Sequence, residues 1–126
     1  QDSASNKTSI MEPAAKEIIA EIRKLRQLKK SVFESGSKWH EIASSSICLS
    51  ADILLVPLYW LLSKSRHTAS FPIEEYMRDS VADFDSKAPI LIPQLIKKTA
   101  EIDIRYPSCP FQSYRTLLQK YLPVAI

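Results

Sequence analysis

The chain contains one glycine, Gly36, among 126 residues, and this count restricts the folds that are open to it. Tight β-hairpins need residues that tolerate positive φ, usually Gly or Asn, and the single Asn is Asn6. Phosphate and dinucleotide loops need several glycines, so that the backbone can approach the ligand closely. Helices can instead end at prolines, of which there are eight. The sequence therefore predicts an all-α fold without a glycine-rich nucleotide loop.

The length and the apolar content are typical of one domain with a hydrophobic core. The 126 residues are 45% hydrophobic, which is enough for a single helical bundle. Residues 1–8 are polar and serine-rich and are interpreted as a linker, and residues 9–126 are predicted to form the bundle. No apolar run is long enough to span a membrane.

Apolar residues at helical spacing predict about five helices. The first helix is expected from residue 9 to about residue 34, with Gly36 as the left-handed residue after it. Residues 37–63 are predicted to form either one bent helix or two helices that break near residue 50. Their second half is apolar on nearly every side, which predicts a central helix, and Pro57 is expected to kink it.

Prolines set the expected limits of the remaining helices. A third helix is predicted from about Ser70 to Asp85, followed by a connector that contains Pro89. The next helix is expected to run from about Pro93 to Arg105. The last helix is predicted to begin after Ser108 and to end at Pro123.

A cluster of cationic residues lies near the end of the first helix. The first 38 residues hold 8 Lys and Arg against 5 Asp and Glu, and the rest of the chain holds 9 of each sign. The net charge of +3 therefore lies in the first third of the chain. This basic patch could contact phosphate groups, or it could be a solvated helix face. Its residues are Arg23, Lys24, Arg26 and Lys30.

The last predicted helix carries an amphipathic stripe that is rich in aromatic residues. Aromatic side chains at such spacing either close a helical bundle or anchor a partner, since Tyr and Trp are favoured at interfaces. We interpret the stripe as the candidate surface for a peptide or helical segment of another protein. Its partner-binding residues are Phe111, Tyr114, Leu118 and Tyr121.

Catalytic and metal-binding patterns are absent from the sequence. The two histidines, His40 and His67, have no paired Cys or His at ligand spacing, and no nucleophile elbow occurs. His40 and Cys48 are about 12 Å apart along a helix axis, too far to act as a nucleophile pair within one helix. We therefore expect no enzyme activity, no metal site and no cofactor.

The two cysteines, Cys48 and Cys109, are too few for a disulfide framework. A buried free thiol is the ordinary interpretation of Cys48, and one bridge between the two would imply an oxidising compartment. An intracellular location, nuclear or cytoplasmic, is expected. Secretion stays open because Asn6-Lys7-Thr8 is a glycosylation sequon.

These observations leave three functional hypotheses. The leading one is a non-enzymatic protein–protein interaction domain, of adaptor or scaffold type, cut from a larger intracellular protein of eukaryotic type, since the chain does not begin with Met. The first alternative is nucleic-acid binding through the basic first helix. The second alternative is a secreted helical ligand. The sequence does not indicate the oligomeric state.

Overall fold

Four α-helices and one short 3₁₀ turn make up the described part of the chain in the computed structural model. Their bounds are Ser3–Lys30 for α1, Ala51–Leu62 for α2, Glu75–Met77 for the 3₁₀ turn, Arg78–Arg105 for α3 and Gln112–Ala125 for α4. The structure describes residues 3–31, 36, 40, 51–64, 73–107 and 111–125, with side chains for all of these except residues 3–14 and 122–125.

Helix α2 packs against each of the other three helices. Five leucines of α2 are buried, namely Leu54, Leu55, Leu58, Leu61 and Leu62. Around them lie the apolar stripes of the longer helices, with Ile18 and Ile22 from α1, Phe84 and Ile92 from α3 and Leu118 from α4. The predicted all-α bundle with an apolar central helix is confirmed, because the stripes at helical spacing meet in one core.

The predicted kink at Pro57 is wrong, because α2 is a continuous helix from Ala51 to Leu62. A proline inside a helix costs about 3 kcal/mol, through a lost backbone hydrogen bond and a steric clash. Burial of one leucine side chain contributes about 1.5–3 kcal/mol. The five buried leucines of α2 therefore outweigh the cost of the proline, and packing on three sides keeps the helix intact.

The predicted connector around Pro89 is also wrong, because α3 runs without a break through Pro89 and Pro93. The two prolines are four residues apart and exposed, so their rings and the carbonyls they leave unbonded lie on the solvent side of the helix. The buried stripe continues past them through Ala88 and Ile92. This merger of two predicted helices lowers the number from about five to four in the described part of the chain.

The ends of α1 and α4 differ from their expected positions. Helix α1 ends at Lys30, while Gly36 has the predicted left-handed backbone with φ of 86°. Helix α4 continues past Pro123 to Ala125. The first half of the predicted segment 37–63 lies outside the described residues up to residue 50, with the exception of His40, which is helical.

The backbone of α1 is already helical at Ser3, within the segment interpreted as a linker. The division into a linker and one domain remains a prediction. Among the described helices, none is both long enough and apolar enough to cross a membrane.

Polar contacts join α4 to its neighbours. The hydroxyl of Tyr114, which is completely buried, donates a hydrogen bond to the carbonyl of Leu54 in α2 at 2.8 Å. Asp103 at the end of α3 accepts a hydrogen bond from the Phe111 amide at 2.7 Å and forms an ion pair with Arg115. These bonds fix the start of α4 against the rest of the bundle.

Candidate functional site

An apolar groove lies between α2 and α3 and encloses about 290 Å³. Its α2 side is formed by Ile53 and Val56. Its α3 side is formed by seven residues, Ser80, Phe84, Lys87, Leu91, Gln94, Leu95 and Lys98. Ile53 is 49% exposed and lines this groove. An exposed isoleucine that borders an apolar groove enlarges one apolar patch, and such patches are typical of binding surfaces.

Helical spacing explains why these side chains line one groove. Apart from the adjacent pair Gln94 and Leu95, the α3 residues recur at intervals of three or four, so they form one stripe. Phe84 and Leu95 on this stripe also belong to the core. On α2, Ile53 and Val56 are three residues apart and share the side that faces this stripe. Since α2 is apolar on nearly every side, its surface beyond the described core contacts remains apolar.

The charges at the groove are of one sign. Lys87 and Lys98 contribute the two cations of the lining, and none of the lining residues carries a carboxylate. In the described part of the chain, no carboxylate forms an ion pair with either lysine. The two lysines are 11 residues apart, which is about 16 Å along α3 and nearly the same angular position. The groove therefore combines an apolar floor with two cations on one rim.

The lining of this groove is mainly apolar. Its lining offers aliphatic and aromatic carbon, one hydroxyl, one amide and two ammonium groups. No His, Cys, Asp or Glu lies in it. Across the described residues, no group of three or more such side chains is placed to hold a metal ion. The arrangement can remove apolar side chains from water and pair with negative charge at its edge.

The predicted basic patch lies on α1, and two of its residues contact other side chains of the bundle. Arg26 forms an ion pair with Glu74 at 3.1 Å. Lys24 donates a hydrogen bond to Ser113 at 2.9 Å and lies 3.6 Å from Glu21. Arg23 and Lys30 are exposed. Since two of the four predicted residues already have carboxylate partners, less of the positive charge is available to a phosphate backbone.

The contact of Arg26 with Glu74 belongs to a network that sequence reasoning did not find. The hydroxyl of Tyr59 in α2 donates to Glu74 at 2.5 Å, and Arg26 donates to the same hydroxyl. Burial raises the pKa of Tyr59 well above its usual value, and the bond to Glu74 adds to this, so the phenol stays protonated. Burial acts to raise the pKa of Glu74, but the bonds from Tyr59, its own backbone and Arg26 together lower it. The network ties α1, α2 and the start of the 3₁₀ turn together.

A second pair of contacts involves Lys29, which lies on α1 next to the basic patch. Its ammonium lies 2.6 Å from the carboxylate of Asp52 at the start of α2. It also donates to the hydroxyl of Tyr76, which in turn donates to Asp52 at 3.1 Å. Lys29 thus joins α1 to α2 and the 3₁₀ turn.

The structure places the four predicted partner-binding residues in the core. Phe111, Tyr114, Leu118 and Tyr121 are each less than 10% exposed. The hydroxyl of Tyr121 donates to Glu17 on α1 at 2.6 Å, so this aromatic stripe holds α4 against α1 and α2. A role of these residues in partner binding remains a prediction.

The residues of the groove were not among the predicted site residues, although the sequence holds a signal for them. Helix α2 is apolar on nearly every side, and Ile53 is the one of its described apolar residues that is half exposed. His67, Cys48 and Cys109 lie outside the described residues. Comparison with protein-family models, with curated proteins and with solved structures finds no match to this chain.

Proposed function

We propose that this chain is a non-enzymatic protein–protein interaction domain, of adaptor or scaffold type, which holds a segment of a partner protein in the α2–α3 groove. The observation that carries the proposal is the half-exposed Ile53 beside an apolar floor formed by Val56 and Leu91. Covering apolar surface contributes roughly 25 cal/mol per Å², so a partner that fills the groove gains affinity.

The shape of the groove favours protein side chains as its occupants. Small-molecule sites usually enclose about 300–1,000 Å³ and bury most of the ligand. At about 290 Å³ the groove is just below this range, and its lining extends along α3 from Ser80 to Lys98. A few aliphatic side chains of a partner segment fit such a surface, as in helix-in-groove recognition.

A pair of matched variants tests the proposal. Ile53→Glu places a charge at the groove, whereas Ile104→Glu makes the same change at a position of α3 that is 82% exposed and does not line it. Both sites tolerate a polar side chain, so circular dichroism should show equal helix content. We expect the full chain, used as bait, to retain proteins that the Ile53→Glu variant loses and the Ile104→Glu variant keeps.

Two results would contradict the proposal. One is recovery of the same proteins by wild type and Ile53→Glu. The other is recovery of nucleic acid alone, which would favour the basic patch on α1. In that case the triple change of Arg23, Arg26 and Lys30 to Ala should abolish binding, and the affinity should fall steeply with salt.

The proposal includes an intracellular compartment, which favours reduced thiols. It predicts that Cys48 and Cys109 are both free when thiols are counted in the denatured protein. A count of zero would instead favour the secreted helical ligand.

A further inference from the structure

We infer that the segment held in the α2–α3 groove is an amphipathic α-helix that carries carboxylates on one flank of its apolar face. This inference rests on the proposed function and names the chemistry of the partner. It is carried by the two lysines on the rim and by the helical geometry of both walls.

Charge complementarity determines the sign of the partner's flank. Lys87 and Lys98 stand on the same side of α3 and have no carboxylate partner among the described residues. Unlike charges across an interface attract and fix the register, whereas like charges at that position oppose binding. A segment with Asp or Glu opposite these lysines is therefore preferred over one with Lys or Arg.

The spacing of the lysines determines where the carboxylates lie. Eleven residues of helix rise about 16 Å and return to within about 20° of the same direction. A partner helix that runs along α3 in either direction therefore presents two carboxylates about 11 residues apart on one side. Its apolar residues recur at intervals of three or four and face Val56, Phe84, Leu91 and Leu95 on the groove floor.

The walls favour a helix over an extended segment. Both walls are helices, and the described residues contain no strand whose edge could pair with an added one. An extended segment would leave backbone N–H and C=O groups unbonded against apolar carbon, which is costly. A helix satisfies its own backbone and presents only side chains.

A displayed peptide library tests the inference on the full chain. The library presents an 18-residue helix with leucines fixed on one face and with the flanking positions randomised. It is selected against wild type, against the double variant Lys87→Glu and Lys98→Glu, and against a control, Lys16→Glu and Lys97→Glu. The control changes the net charge equally at two exposed lysines that do not line the groove.

In the selections against wild type and against the control, we expect Asp and Glu to be enriched at flanking positions about 11 residues apart. In the selection against the groove variant, we expect Lys and Arg to be enriched at these positions instead. An acidic peptide selected on wild type should bind the groove variant at least about tenfold more weakly, since two attractive pairs become repulsive. Peptides that need Ile53 but show no charge preference would overturn this inference and leave the proposed function standing. Failure to select any peptide whose binding is lost in Ile53→Glu would overturn both.

Discussion

Replacing Glu74 by glutamine should lower the free energy of unfolding by about 2 kcal/mol. The carboxylate accepts a hydrogen bond from Tyr59 at 2.5 Å and pairs with Arg26 at 3.1 Å. Hydrogen bonds to charged groups contribute about 1.5–3 kcal/mol each, and exposed ion pairs about 1 kcal/mol or less. The side chains of Arg26 and Glu74 are 31% and 28% exposed, so the pair lies between these cases. Glutamine keeps the length of the side chain and one acceptor, and the loss comes mainly from the missing charge.

The neighbouring residue provides the control. Glu75 is exposed and also precedes α3, and Glu75→Gln removes the same charge one position away. Surface substitutions usually change stability by less than about 0.5 kcal/mol. Urea denaturation at pH 7 measures both variants, with unchanged slopes confirming that the unfolding reaction is the same. Equal destabilisation by the two changes, or a loss below 0.5 kcal/mol for Glu74→Gln, would refute the role assigned to the network.

The pH dependence gives an independent measure of the same contact. The pKa of Glu74 lies below its ordinary value of 4.5, because the bonds that stabilise its charge outweigh the effect of burial. A carboxyl whose pKa is lower in the folded state stabilises the fold above its unfolded pKa, and this contribution is lost as the pH falls through the folded pKa. The advantage of wild type over Glu74→Gln should therefore be full at pH 7 and shrink at pH 3. A difference that stays constant over this range would contradict the assignment.

Three further substitutions test the attachment of α4 and the segment after α1. Asp103→Ala removes the partner of Arg115 and of the Phe111 amide. It should lower the free energy of unfolding by about 3 kcal/mol in urea denaturation, and a loss under 1 kcal/mol would indicate a fully solvated pair. Tyr114→Phe removes one buried hydrogen bond without a change of shape, and a loss of about 1 kcal/mol is expected, with no change in helix content by circular dichroism. Gly36→Ala should lower the stability in thermal unfolding by about 1–2 kcal/mol, because φ is 86° and a Cβ there strains the backbone, even though it meets no atom within 4 Å. An unchanged midpoint would show that the backbone relaxes without strain.

The faces of the helices could be predicted from the sequence because burial of apolar side chains imposes the helical period. Ile18, Ile22 and Leu25 recur at helical spacing along α1, and each is buried. In the 3₁₀ turn, Met77 lies in the core and Tyr76 is largely exposed. Periodicity alone does not decide which of two adjacent apolar residues is buried.

The lengths of the helices could not be predicted at Pro57, Pro89 and Pro93. Local rules place a kink or an end at each proline, and they are correct for an isolated helix. In the folded chain, burial of leucines around Pro57 and solvent exposure of the rings of Pro89 and Pro93 make the continuous helices stable. These balances depend on neighbours that are distant in sequence.

The candidate site, too, could be predicted from the sequence only in part. The basic patch and the aromatic stripe of α4 were visible as patterns within single helices. In the structure, Arg26 forms an ion pair with Glu74, and the aromatic stripe around Tyr114 is buried. The groove exists only where α2 lies beside α3, so Ile53 and Lys98, which are 45 positions apart, become parts of one surface. No pattern within one helix contains that relation.

The sequence by itself determined the fold class, because one glycine leaves little room for tight hairpins and because the apolar periodicity requires helices with a shared core. Only the tertiary structure decided which apolar and charged side chains are used within the bundle and which remain available at its surface. The physical reason is that the helical period is a local property of the chain, whereas burial and ion pairing are set by which helices become neighbours.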